Sequence, residues 1–149
     1  MHFTNRDLKY FQLAKREAEK SKFKPFRLGA VIVYKNIVIG SGHNSQQKTH
    51  PLQKRYNKQY RNFKHDGGKM ISDTLHAEIS ALVDISYVQG MQIKNWNDVS
   101  IYVYRITPGL EHGYGCAKPC PACINCLRDY GIRHVYYTDY AGFNYMYLA

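Results

Sequence analysis

Val99-Ser100-Ile101-Tyr102-Val103-Tyr104-Arg105 alternates along its length with the period of a strand. A loop rich in Gly and Pro follows from Thr107 to Lys118, and Pro119-Cys120-Pro121-Ala122-Cys123 then opens a helical stretch running to about Tyr130. Gly131 stops that helix, and His134-Val135-Tyr136-Tyr137-Thr138 reads as a second short strand. Strands joined through a helix pair in parallel, because the crossover returns the chain to the end where it started. The stretch therefore predicts a βαβ unit and places the chain among α/β folds.

Upstream, residues 4–20 predict an amphipathic helix with Leu8, Phe11, Ala14 and Ala18 on its apolar side and Thr4 or Asn5 as its cap. Leu28 to Tyr34 and Ile37 to Gly42 are rich in Val and Ile, and Lys35-Asn36 between them suits a hairpin turn. Residues 45–72 would be an unusually long bare loop. Part of it reads as a helix begun by Pro51, with Leu52, Tyr56, Tyr60 and Phe63 on one stripe and Lys54, Arg55, Lys58, Arg61 and Lys64 on the other faces, ended at Asp66-Gly67-Gly68. A further helix is expected from about Thr74 to Val88, capped by Asp73 or Thr74 and closed by Gly90, with Leu75, Ile79, Leu82, Val83 and Ile85 buried. The tail from Asp139 is aromatic and compatible with helix or strand. There is no repeat, linker or low-complexity stretch, so residues 1–149 are expected to form one domain around a mostly central sheet.

The 149 residues are enough for one domain with a real core, and the longest apolar runs, such as Ala30-Val31-Ile32-Val33, are strand-sized. No membrane span is expected, and the N-terminus lacks the layout of a signal peptide, so cytoplasmic residence is the expectation. A net charge of +10 favours anionic partners such as phosphates, nucleotides or nucleic acid, although it also serves solubility alone. All four cysteines, Cys116, Cys120, Cys123 and Cys126, lie in one short segment. Disulfide frameworks spread their cysteines to close loops, so this clustering points to metal or redox chemistry.

Two motifs carry that chemistry. Cys120 and Cys123 stand three apart on a first helical turn, where both sulfurs share a face and the helix N-terminus favours thiolates. His76-Ala77-Glu78 also opens a helix. One imidazole from His76 would complete three protein ligands for zinc and leave a fourth position open, as in catalytic rather than structural sites. Glu78, two residues beyond, is too constrained to ligate as well, and a carboxylate beside such a metal can carry protons. The competing reading joins all four cysteines in a closed structural or iron–sulfur site, which leaves His76-Ala77-Glu78 without a role. In the first reading Cys126 is a buried apolar residue and Cys116 a loop thiol.

His-x-Glu followed at a distance by Pro-Cys-x-x-Cys is a signature of zinc nucleobase deaminases. Over about Leu28 to Thr138 the chain resembles the cytidine and deoxycytidylate deaminase superfamily. Gly29-Ala30-Val31-Ile32-Val33 looks like that family's first strand, and Asn44 matches a position that holds base or sugar. The resemblance implies a three-layer α/β/α fold, a mixed sheet flanked by helices, with Zn2+ at facing helix N-termini. It implies His76, Cys120 and Cys123 as ligands, Glu78 as the catalytic proton carrier, Asn44 and Ala77 as substrate contacts, and a homo-oligomer. A second metal occurs in some members, for which His43, His50, His65 or Cys116 are candidates. The basic segment after Asn44 suggests a phosphate-binding lid, with Lys48, Lys54, Arg55, Arg61 and Lys69 as candidates.

Three functions stay open at this point. The first is a free-nucleotide enzyme deaminating dCMP or a close relative to the uracil nucleotide, a branch that the long segment between Asn44 and His76 and the Cys-x-x-Cys helix resemble. A deaminase of cytosine or adenine in RNA or DNA is favoured by the charge, the tyrosines, and the likeness of His76-Ala77-Glu78-Ile79 and Ala81-Leu82 to tRNA adenosine deaminases. Ser80, where deoxycytidylate deaminases often carry asparagine, also departs from the first reading. A zinc-stabilised binding module is the third, and Glu78 would have no purpose there.

Overall fold

The computed structural model describes residues 2–61, 73–109 and 115–149. Helix α1 (Asn5–Glu19) is followed by strands β1 (Arg27–Tyr34) and β2 (Ile37–His43), helices α2 (Pro51–Tyr60), α3 (Ala77–Asp84) and α4 (Tyr87–Gln92), a 3-10 turn at Trp96–Asp98, strand β3 (Ser100–Ile106), helix α5 (Pro121–Tyr130), and strands β4 (His134–Asp139) and β5 (Gly142–Tyr147). The sheet order is β2-β1-β3-β4-β5. Only the β3–β4 pair is parallel, as the crossover helix α5 requires; the others are antiparallel. Lys35 and Asn36 both hold positive φ, the geometry of a tight two-residue hairpin turn.

Alternation along β1 and β3 sorts the core into two layers. Val31, Val33, Tyr102 and Tyr104 face Tyr10, Phe11 and Ala14 of α1. Ala30, Ile32, Ile101 and Val103 belong to the larger cluster with Ala77, Ile79 and Leu82 of α3 and with Ala122, Cys126 and Leu127 of α5. The result is the three-layer α/β/α arrangement around a mixed sheet. Tyr102 donates its hydroxyl to Asp7, which also forms a capping box with Thr4, so one carboxylate ties the start of α1 to the sheet. Helix α3 lies close against β2 because Gly42 has no side chain: a Cβ there would stand 2.6 Å from the Ala81 nitrogen.

Several boundaries differ from expectation for local reasons. Leu8 is exposed, and Tyr10 takes its place in the core. Around the helix Leu8 lies roughly 120° from Ala14, whereas Tyr10, Phe11 and Ala18 lie within about 60°. The helix expected from Thr74 to Val88 begins at Ala77, because Leu75 pairs with Ser45 in an isolated bridge. It also breaks at Ile85, after which Ser86 caps a separate α4 that contains Gly90 rather than ending at it. Val83 is exposed. Helix α5 starts at Pro121, not Pro119, since a residue preceding proline resists the helical conformation and Cys120 is extended, at ψ 166. The aromatic tail is strand β5, paired to β4. In α2 the stripe of Leu52, Tyr56 and Tyr60 packs on the core, and His50 supplies the cap. Phe63, Lys64 and Asp66-Gly67-Gly68 fall outside the described residues.

Candidate metal centre

His76 and Cys120 are the N-cap residues of α3 and α5, and Cys123 sits in the first turn of α5. The two helix N-termini therefore meet with their positive ends toward one point. His76 Nδ1 stands 3.5 Å from Cys120 Sγ and 3.4 Å from Cys123 Sγ. Zinc–nitrogen and zinc–sulfur bonds at tetrahedral angles would separate N and S by about 3.5 Å, so the donor set fits this ion. Among the described residues this is the one group of three or more His, Cys, Asp or Glu side chains placed to hold a metal. Cys126 is fully buried in the apolar cluster, its thiol pushed up to about 12 by burial. Cys116 is half-buried in the loop before α5. The closed four-cysteine site is therefore not formed.

One of the two thiols, Cys120, is already poised for deprotonation. A hydrogen bond from Cys123, reinforced by the His76 hydrogen bond and charge, draws Cys120 down to about 4 against the opposing effect of burial. Cys123 moves the other way, because it shares its proton with Cys120 and is buried. Burial opposes protonation of His76, but the hydrogen bond and charge of Cys120 prevail and raise it. Arg61 lies 3.2 Å from His76 Nε2. Glu78, in the first turn of α3, is only 4% exposed, and desolvation pushes its carboxyl up to about 7 despite the opposing pull of His76.

A cavity of about 450 Å³ opens onto His76 and Cys120. Its walls include Phe23, Phe26, Leu28, Asn44, Thr74, Arg61 and Arg105. Asn44 is present, with its amide engaged: Oδ1 accepts from the Leu28 N–H and Nδ2 donates to the Phe26 carbonyl. Ala77 is fully buried. Lys48 and Arg55 are exposed and do not line this cavity; Lys48 borders a neighbouring groove, and Arg55 stacks over Tyr56. Lys54 is also exposed. Of the candidate cations only Arg61 reaches the wall, while Lys69 and His65 fall outside the described residues. His43 faces Glu17, and His50 is committed to capping α2, so neither joins Cys116 in a second cluster.

The family model described as "Cytidine and deoxycytidylate deaminase zinc-binding region" matches residues 4–139. The chain belongs to this family. A dCMP deaminase from the cyanophage S-TIM5 shares the fold at 19% identity, with a TM-score of 0.55 over 93% of this chain and 86% of that one. A cytidine deaminase from Burkholderia pseudomallei does so at 17% identity, with a TM-score of 0.57 over 98% and 94%. No curated protein gives a significant match. For this deaminase-family chain, zinc is the metal that His76, Cys120 and Cys123 are placed to bind.

Two features of the family member escaped the sequence reading. Arg105 lies next to the end of β3, where a charged residue reads as strand exit; in the fold it packs over the Phe26 ring at 4.4 Å and faces the cavity. Gln53 and Asn57 of α2, polar residues to which the sequence reading gave no role, are both buried. No local pattern marks either.

Proposed function

We propose that this deaminase hydrolyses the exocyclic amine of a free cytosine nucleotide, converting dCMP and water to dUMP and ammonia. The observation that supports it is the cavity, of ordinary size for a small-molecule site, with two arginines in its wall beside the metal ligands. Arg61 and Arg105 would meet the phosphate, in place of Lys48 and Arg55. Phe23 and Phe26 give the deoxyribose and base an apolar wall, and Asn44 and the Ala77 backbone are the groups proposed to orient the base. When bound, zinc acts as a Lewis acid that makes water a nucleophile at neutral pH. Glu78 would carry two protons in turn on its carboxylate oxygen: one from the attacking water to the ring nitrogen, and then the one left on the added hydroxyl to the departing amine, which leaves as ammonia. Its burial keeps bulk water from competing for those protons.

One observation favours a polynucleotide substrate instead. A second groove, bordered by Lys20, Lys22 and Lys48, shares Phe23, Asn44, Ser45 and Gln46 with the cavity and would prolong a path for a phosphate backbone. Ammonia release from nucleosides, dCMP, CMP, dCTP, AMP and cytosine- or adenine-containing oligonucleotides separates the two. Turnover of dCMP, with KM raised at least tenfold by Arg105→Ala and little change in residual nucleoside turnover, is the expected result. Turnover of oligonucleotides alone would overturn it.

The family resemblance also supports a homo-oligomer, and Tyr87, Val88 and Met91 give α4 an exposed apolar face. Sedimentation is expected to return a multiple of the chain mass; a monomer at micromolar concentration would dismiss this. Among the described residues no helix is long and apolar enough to cross a membrane. All four cysteines are free, which suits a reducing compartment such as the cytoplasm.

A further inference from the structure

Helix α2 carries two buried amides that end on the backbone of a metal ligand. The Gln53 side chain is fully buried, and its Oε1 accepts the backbone N–H of His76 at 2.9 Å. Its Nε2 donates to Asn57 Oδ1 at 2.9 Å, and Asn57 Nδ2 donates to Asp73 Oδ1 at 3.2 Å. The direction of this chain is dictated from both ends. A backbone N–H can only donate, and an ionised carboxylate can only accept, so both amides must face the way they do. A flip of either would set like groups against each other.

The location matters as much as the bonds. His76 is the N-cap of α3 but makes no side-chain cap bond, because its ring is turned to the two thiols. Its backbone is held from outside instead. Ser45 and Lys48 carbonyls accept from the N–H of Leu75 on one side, and Gln53 accepts from the N–H of His76 on the other. The same helix reaches the cysteine-bearing element: the Tyr56 hydroxyl donates to Asp129 of α5 at 2.6 Å. Adjacent faces of α2 therefore touch the backbone of the histidine ligand and the helix of the cysteine ligands.

We infer that Gln53, oriented by Asn57 and Asp73, is a positioning residue for the metal centre: it sets where the His76 ring stands relative to Cys120 and Cys123. It touches neither metal nor substrate. A misplaced imidazole lengthens or bends one bond in three, and groups that orient ligands in this way typically govern metal affinity by about 10–100-fold. The inference rests on the zinc site and not on the nucleotide assigned to it, so it is tested by metal binding rather than turnover.

Gln53→Met keeps length and helix propensity while removing the acceptor; Gln53→Glu keeps an acceptor but buries a charge. The full-length proteins would be titrated with zinc against a chromogenic chelator, loaded with Co(II) for its visible absorption, and melted with and without EDTA. Gln53→Met is expected to weaken zinc by about 10–100-fold and to alter the cobalt bands. Gln53→Glu should lose more thermal stability when metal-free and yet bind zinc more tightly than Gln53→Met. That inversion is the mark of a positioning role, since a merely structural amide would make zinc affinity follow stability. Wild-type affinity and an unchanged cobalt spectrum in Gln53→Met would overturn the inference, as would affinities ranked like the melting temperatures. Should Gln53→Met not fold, Asp73→Ala at the exposed end of the chain decides: a several-fold loss of zinc affinity supports it, and none overturns it.

Discussion

Cys123→Ala is expected to melt a little below chelator-treated wild-type protein and to gain almost nothing from added zinc. Two effects are separable here. The thiol is buried in the core between α3, α5 and the sheet, so its removal leaves a small void whether or not metal is present. The larger effect is linkage. Free zinc at about 1,000 times its Kd stabilises a folded state that binds it by about 4 kcal/mol. For a chain of this size that corresponds to a rise of roughly 8–16 °C in melting temperature. Wild-type protein should show that rise on adding zinc, and Cys123→Ala should show almost none of it. Comparison in EDTA isolates the packing loss. Cys126→Ala is the control, because that sulfur lies in the same cluster without joining the His76 group. It should retain the zinc-dependent rise. A Cys126→Ala protein that loses it would restore the four-cysteine site and end the three-ligand assignment.

Glu78→Gln should keep one zinc per chain and lose turnover by about 10²–10⁴-fold, the range for removing a group that moves protons in the transition state. The amide matches the carboxylate in size, so the cavity and the ligands stay as they are. Stability should be unchanged or higher, since a carboxylate that is 4% exposed bears a desolvation penalty that the neutral amide does not. The measurement is steady-state ammonia release with metal content determined on the same sample. Full activity with zinc bound would remove Glu78 from the mechanism. Loss of zinc together with activity would instead make it part of the metal's own surroundings.

Much of this was legible because it is written over short distances. The β1–β2 hairpin follows from two Val- and Ile-rich runs and the Lys35-Asn36 turn. The parallel β3–β4 pair follows from the helix between them. Cys120 and Cys123 share a face because helical geometry puts i and i+3 together, whatever the rest of the chain does. Their pairing with His76 came from a recognised motif and not from any local rule.

The rest depended on contacts distant in sequence. Helix α3 starts at Ala77 because Ser45 captures Leu75, an antiparallel bridge no helical periodicity could announce. The break at Ile85 falls just after Asp84, whose carboxylate accepts the Ser41 N–H of β2. Lys48 and Arg55 follow the predicted substrate asparagine closely in sequence yet point elsewhere, while Arg105 reaches the cavity from the far end of β3. Gln53 and Asn57 show the same limit from inside the core.

By itself, then, the sequence determined the order of elements, the hairpin, the parallel crossover and which side chains have metal-binding chemistry, because these depend on propensity and on spacing of a few residues. Only the tertiary structure decided which charges face the cavity, where the ligand-bearing helices begin, and which polar groups are buried to hold them. Those depend on partners that become neighbours only when the chain is folded, and the cost of leaving a buried N–H or carboxylate without a partner then selects the arrangement.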